Sequence, residues 1–220
     1  LGEWYLLRTD GLFQSQDEIN SYVNKDGIVI QPMAKPGDIK YVDLDGNGTI
    51  NPDDRDFVGS PWPKLQAGAQ FNGSYKNFSV NIQFVGVFGN QVYNDSRRGL
   101  DMYQNTNFRK DINPWTSDNT GTSDPRLALA TEQGIIDTNR GDSERWLEDG
   151  SYVRLRNIEI GYNFGIDRLN ISNARVFVSG QNLFTITGYS GLDPDVTGLN
   201  LYERGLDAGH WPASRVFSAG

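Results

Sequence analysis

Leu65-Gln66-Ala67-Gly68-Ala69-Gln70-Phe71-Asn72-Gly73-Ser74-Tyr75, the dipeptide Lys76-Asn77, and Phe78-Ser79-Val80-Asn81-Ile82-Gln83-Phe84 form the most regular stretch of the chain. Leu65, Ala67, Ala69, Phe71, Gly73 and Tyr75 alternate with Gln66, Gly68, Gln70, Asn72 and Ser74. After a short turn, Phe78, Val80, Ile82 and Phe84 alternate with Ser79, Asn81 and Gln83. A period of two is the signature of β-strands with one apolar face. Carried on through Val85-Gly86-Val87-Phe88, each arm reaches about 11 residues, the length a tilted strand needs to cross a bilayer. A soluble sandwich gives the same alternation. Aromatic residues at the arm ends (Tyr75, Phe78, Phe84, Phe88) favour a membrane girdle.

Working outward, the connections alternate in length. Glu3 to Arg8 reads as the end of a strand, with a turn at Thr9-Asp10-Gly11. Ser15 and Glu18 form a capping box that predicts a short helix over 16–23. Ile28 to Ile30 reads as a brief strand, and Pro32 and Pro36 bound a loop. The whole of 9–63 is therefore a long connection. A second runs over 89–150, polar throughout, with a short helix expected over 94–104. Tyr152 to Phe164 is the next strand. A turn at Gly165-Ile166-Asp167 leads to a strand over 174–187, whose pattern is blurred by Phe177 and Leu183. Another long loop covers 188–212, and Arg215-Val216-Phe217 begins a further strand. Long and short connections in alternation match a membrane barrel, with long loops outside the cell and short turns on the periplasmic side. About five strands cannot close a barrel, and an open edge is not viable in lipid. The expectation is a segment of a larger antiparallel transmembrane β-barrel.

Composition narrows the function classes. The 220 residues carry 20 Lys and Arg against 28 Asp and Glu, a net charge of -8 that argues against nucleic acid. No cysteine is present, so disulfides and thiolate chemistry are absent. No apolar run approaches the roughly 18 residues of a spanning helix. Leu1-Gly2-Glu3-Trp4 lacks the basic start and apolar core of a signal peptide, so the chain is expected to begin inside a longer one.

Asp43-Leu44-Asp45-Gly46-Asn47-Gly48-Thr49-Ile50-Asn51-Pro52-Asp53-Asp54 fits the calcium-loop template. Asp43, Asp45 and Asn47 hold positions one, three and five, Gly48 supplies the sharp turn, and the Thr49 carbonyl is seventh. Asp54 stands at position twelve in place of a bidentate Glu. Oxygen ligands at this spacing wrap a hard cation, a structural Ca2+. The bland alternative is an Asx-rich turn without an ion. Trp62, Tyr103, Trp115, Trp146 and Trp211 fall in loops and offer faces for stacking on substrate, or simply pack the loops. Arg154 and Arg156 line the substrate path if they face the lumen. His210, the only histidine, has no triad partner. Glu148 and Asp149 are adjacent on a strand and point to opposite faces, so they do not form a glycosidase pair. No nucleophile elbow is present, and the chain is expected not to be an enzyme.

Four segments, in order over nearly the whole chain, resemble SusC/RagA-type TonB-dependent outer-membrane transporters. They are Thr9 to Gln14; Lys35 to Ile50 with Asp53-Asp54-Arg55 and Val58 to Pro61; Arg145 to Ile158 with Gly161-Tyr162; and Ser179 to Thr187 with Asp193-Pro194-Asp195. The resemblance implies the C-terminal portion of a barrel of about 22 strands. It further implies the bacterial outer membrane, import of glycans or peptides, a SusD-like surface lipoprotein as partner, and energy from the TonB-ExbB-ExbD complex. The family's plug domain lies N-terminal, outside these residues. A secreted all-β carbohydrate-binding or calcium-stabilised adhesion module is the alternative from another class.

Overall fold

A computed structural model describes residues 2–101, 109–127, 139–166, 171–198 and 203–220. In chain order the strands and helices are β1 (Trp4–Leu7), β2 (Thr9–Leu12), α1 (Gln16–Ser21), β3 (Ile39–Tyr41), β4 (Arg55–Gly59), β5 (Leu65–Tyr75), β6 (Phe78–Phe88), β7 (Gln91–Tyr93), α2 (Asp95–Leu100), β8 (Leu147–Asp149), β9 (Tyr152–Ile166), β10 (Ile171–Gln181), β11 (Thr185–Thr187) and β12 (Val216–Ala219). They divide into two compact units, Leu1–Ser60 with Tyr93–Leu147, and Pro61–Val92 with Glu148–Gly220. No described helix is long and apolar enough to cross a membrane, which says nothing about a β-barrel.

The second unit is an antiparallel sheet in the order β12-β10-β9-β6-β5, with β11 paired to β9 beyond the end of β10. The β5–β6 hairpin is in register over every residue from Leu65↔Phe88 to Tyr75↔Phe78. Its two-residue turn places Lys76 at φ 52, the left-handed region that such tight connections require. Register then carries the alternation across the sheet. Phe71, Ile82, Ile158, Gly180 and Phe217 stand directly opposite one another in turn. So do Tyr75, Phe78, Tyr162 and Val176. This face is bare: Phe71 is 61% exposed, Tyr75 72% and Phe217 75%. Water-soluble domains do not leave an apolar face of this extent uncovered.

The other face carries Gln70, Asn72, Asn81, Asn157 and Glu159, joined into a polar ladder. Asn81 Nδ2 donates to Asn72 Oδ1, Asn157 Nδ2 to Asn81 Oδ1 at 3.4 Å, and Arg175 Nη2 to Glu159 Oε1 at 2.5 Å. Phe177, which blurred the sequence pattern, lies on this side opposite Gly161. The Arg175 guanidinium sits 5.7 Å from its ring centroid.

Strict alternation back from Ile158 would put Arg156 and Arg154 on the apolar face. A β-bulge prevents this: Gln83 pairs with Asn157, but the next residue, Phe84, pairs with Leu155. Arg156 is the extra residue, and the phase of β9 switches beyond it. Leu155 and Val153 take the apolar side, while Arg154 comes opposite Val85 on the polar side. Re-aiming side chains is a known use of bulges.

The first unit is built from the two segments the sequence reading treats as long loops. They are not featureless. Leu7, Leu12, Ile30, Ile39, Tyr41 and Ile50 form a buried core, and Phe13, Ile19 and Ala34 a second cluster. Helix α1 is capped as expected, Ser15 Oγ accepting from Glu18 N at 3.1 Å. It ends at Ser21, two residues short of the expected 16–23. The expected turn at Thr9–Gly11 is instead part of β2, paired to β3, with Gly11 at φ +74 and a register shift accommodating it. Residues 28–30 contribute only an isolated bridge, Val23↔Val29. Helix α2 covers Asp95–Leu100 between an Asn94 N-cap and an Asp101 C-cap, and residues 102–104 of the expected helix lie outside the described residues. Gly165 and Ile166 of the expected 165–167 turn are instead the end of β9, and Asp167 lies outside the described residues.

The two segments are tied together by a buried carboxylate. Asp38 accepts from Lys35 N at 2.8 Å, from Arg126 Nη2 at 3.1 Å and from Asn139 Nδ2 at 2.9 Å. Asn139 Oδ1 in turn accepts from Ile39 N at 2.9 Å. Nearby, Arg145 pairs with Asp124 at 3.0 Å, and burial together with neighbouring Arg97 lowers its pKa from the ordinary arginine value.

Candidate cation loop and ligand cavity

The 43–54 loop is held by its own acidic side chains. Asp43 Oδ1 accepts from Gly46 N and Oδ2 from Gly48 N, both at 2.9 Å. Asp54 is fully buried and accepts from Leu44 N and Asn51 N, both at 2.8 Å. Gly48 is at φ +86, and a Cβ there would meet Asn24 Nδ2 at 2.6 Å, so only glycine fits. One ligand oxygen from each of Asp43, Asp45 and Asp54 lies within 4.8 Å of the others.

The donor set is all oxygen, as a hard cation requires. Two contacts must change for the full template set to ligate. Asn47 Nδ2 donates to Asp45 Oδ2 at 2.7 Å, so its amide must flip to turn oxygen inward. The Thr49 carbonyl accepts from Asn51 Nδ2 at 3.1 Å. The three carboxylates already bring one oxygen each close enough together to share a single cation.

In the second unit a cavity of about 780 Å³ opens beside β11. Its floor is the pair Arg154–Asp193. Arg154 is 2% exposed, and its guanidinium reaches Asp193 Oδ1 at 2.5 Å, Asp195 Oδ2 at 3.6 Å and Thr185 Oγ1 at 2.9 Å. Asp193 also accepts from Asp195 N and, through Oδ2, from Ala213 N, both at 2.9 Å. Burial pushes the Asp193 carboxyl up, but the two backbone donors and the Arg154 guanidinium outweigh it and hold it below the ordinary aspartate value. The long 188–212 connection is thus pinned to β9 by one carboxylate. Tyr189, packed with Val92 and Val196, anchors its start and donates from its hydroxyl to Asp207 Oδ2 at 2.6 Å. His210 N donates to the other Asp207 oxygen at 3.1 Å.

The sequence-derived substrate residues separate on this frame. Arg154 and Trp211 line the same cavity, but Arg154 is already engaged by carboxylates. Arg156 is exposed at the bulge. Trp146 is a correction: at 1% exposed, with Nε1 donating to Gly141 O at 3.1 Å, its indole is core and offers no face to a ligand. Trp115 is half-buried over Gly37, with Nε1 donating to Gln14 Oε1 at 2.9 Å. Tyr103 lies outside the described residues. The sequence reading missed the anchoring role of Asp193, although it lies in the quoted Asp193-Pro194-Asp195 segment.

A sheet with one bare apolar face, girdled by aromatics and backed by a polar ladder, defines an outer-membrane β-barrel segment. No family profile matches the chain. Individual relatives do. Over 196 residues it is 35% identical to TonB-dependent receptor P3 of Formosa agariphila, covering 85% of this chain and 19% of that protein. TonB-dependent receptor P26 of the same organism is 30% identical over 96% of the chain and 21% of its own length. TonB-dependent receptor SusC of Bacteroides thetaiotaomicron is 28% identical over 87% of the chain. Among solved structures, the RagAB peptide importer in its open-open state superposes with a TM-score of 0.69 at 21% identity, over 99% of this chain and 22% of that one. The chain belongs to the SusC/RagA-type TonB-dependent receptors, and spans about a fifth of the length of the relatives it matches. These are bacterial outer-membrane proteins, so lipid is the solvent of the bare face. The named relatives are receptors and transporters, not enzymes.

Proposed function

We propose that the chain forms barrel strands and loops of an outer-membrane transporter that imports glycans or peptides. It works with a SusD-like lipoprotein lid and is powered through TonB-ExbB-ExbD. The observation that carries this reading is the exposed apolar face whose cross-strand row runs from Phe71 to Phe217, on strands of 11 residues that are long enough to cross a bilayer, in a chain whose relatives are TonB-dependent receptors. The strands are part of a closed barrel, because unpaired strand edges are not tolerated in hydrocarbon, and the family resemblance implies about 22 strands in it. The long connections 9–63 and 89–150 are read as extracellular. The full-length protein is expected to fractionate with the outer membrane and to show heat-modifiable migration on a gel. A soluble, heat-indifferent protein would sink the transporter reading and promote a secreted binding module.

The 43–54 loop is proposed to hold a structural Ca2+ through Asp43, Asp45 and Asp54, with Asn47 and the Thr49 carbonyl completing the shell. Saturating calcium at 100 times its Kd stabilises the bound state by about 2.7 kcal/mol. Chelation is therefore expected to lower the thermal midpoint of the purified receptor, and Asp45→Asn to abolish that calcium dependence. Asp45 is exposed, so the substitution leaves the buried Asp54 contacts intact. A midpoint indifferent to both calcium and chelator would leave the loop an Asx-rich turn.

A further inference from the structure

Asn-Gly pairs occur in the chain at Asn47-Gly48 and Asn72-Gly73, and the fold treats them differently. In such a pair the glycine nitrogen, unhindered by a side chain, can attack the asparagine side-chain carbon Cγ. A cyclic imide (succinimide) forms, ammonia leaves, and water then opens the ring to aspartate or isoaspartate. The reaction joins atoms of adjacent residues and needs only water, so it requires no surface to be free of other parts of the protein.

Asn72-Gly73 lies inside β5, with Asn72 paired to Asn81 and Gly73 to Val80. Both residues are locked in an extended ladder, where side chains stand off the backbone and the asparagine carbon is held away from the next nitrogen. Asn47-Gly48 lies in the connection between β3 and β4. Glycine is compulsory at 48, where φ is +86 and a Cβ would meet Asn24 Nδ2 at 2.6 Å. The loop therefore cannot exchange its reactive pair for one with a bulkier, slower second residue. The groups that the reaction needs surround it. Asp43 Oδ2 accepts from Gly48 N at 2.9 Å, within the reach of a general base. Thr49 N donates to Asn47 Oδ1 at 2.8 Å, where negative charge develops as the nitrogen attacks. Asn47 Nδ2, the nitrogen that must depart, donates to Asp45 Oδ2 at 2.7 Å.

We propose that Asn47 is a self-modification site: Asp43 takes the proton from Gly48 N, that nitrogen bonds to Asn47 Cγ, the Thr49 amide stabilises the oxyanion, and the Cγ–Nδ2 bond breaks. The proton passes from Asp43 to the departing nitrogen, which leaves as ammonia. Water then opens the ring, and no oxidant or cofactor is consumed. Aspartate at 47 adds a carboxylate beside Asp43, Asp45 and Asp54, in a loop of the kind whose cation affinity is tuned by ligand charge. Isoaspartate instead routes the main chain through the side chain, lengthens it by a methylene and displaces the Gly48 turn. The modification itself stands apart from the calcium reading.

The test incubates purified full-length receptor in mildly alkaline buffer with a chelator, so that no ion engages Asp43, and with heavy-oxygen water to label each opened ring. Peptide mapping by mass follows both asparagines. In the folded receptor Asn47 is expected to convert roughly tenfold or more faster than Asn72, and in urea the two should convert at similar rates. Asp43→Asn keeps an acceptor oxygen but is no base. It should slow Asn47 by roughly a hundredfold, the lower end of what a positioned base contributes. Heat-modifiable migration shows whether that variant keeps its barrel, and the wild-type ratio decides the matter even if it does not. Folded Asn47 no faster than Asn72, a preference that persists in urea, or conversion in folded Asp43→Asn as fast as in the wild type or faster would each overturn the site.

Discussion

Replacing Arg154 by methionine in the full-length receptor is expected to destabilise it by about 3–5 kcal/mol, because the change strands a carboxylate in a buried site. Asp193 would keep its two backbone donors but lose its guanidinium partner, and the 188–212 connection would lose its anchor on β9. Detergent-solubilised receptor, melted and followed by loss of the heat-modifiable band, measures the effect. The double variant Arg154→Met with Asp193→Leu should recover part of the loss, since removing both charges removes the desolvation penalty. A pH series supplies an independent reading. The folded Asp193 carboxyl lies below its ordinary value near 3.8, so the pair contributes fully above that value. The contribution is lost as pH falls below it and through the lower folded value. Arg154→Met should flatten that acid limb. If the variant melts as the wild type does, the pair is not the anchor described.

Trp146→Ala is expected to cost about 3–5 kcal/mol through the void left by a fully buried indole and the lost hydrogen bond to Gly141 O. Trp146→Phe should cost less, since it keeps most of the ring volume. The same pair of variants separates packing from recognition. At temperatures where the receptor remains folded, Trp146→Phe should bind substrate as the wild type does. A large fall in affinity without a change in melting would return Trp146 to the substrate path.

The membrane sheet was legible because its information is local. Alternation along Leu65 to Phe84 determines faces, and the two-residue turn at Lys76-Asn77 determines register. Both survive translation from sequence to structure without knowledge of any other strand. The bulge at Arg156 was not legible. Its cause is a pairing between Phe84 and Leu155, residues 71 positions apart, that no window along either strand contains. The first unit was misread as loops for a related reason. Its core residues Leu7, Leu12, Ile39 and Tyr41 come from strands of three or four residues, too short to show a period. The cation loop was readable because its ligands are sequential. The cavity was not, because Arg154, Leu192 and Trp211 come from three separate stretches joined only through Asp193.

The hydrogen bond from Asn94 N to Trp146 O, at 2.8 Å, bears on the order in which the chain assembles. Strand β6 ends at Phe88 and β9 begins at Tyr152, 64 positions later. Zipping these neighbours from an unstructured intervening segment means closing a long loop. Once residues 94 and 146 are joined, only about a dozen flexible positions remain, which saves roughly 1.4 kcal/mol of closure entropy. Hairpin β5–β6, closed by two residues, forms on the microsecond scale without help. The ladder between β6 and β9 is kinetically favoured only after the intervening 93–147 stretch has folded. Mutations that slow its folding should therefore delay insertion of strands they never touch.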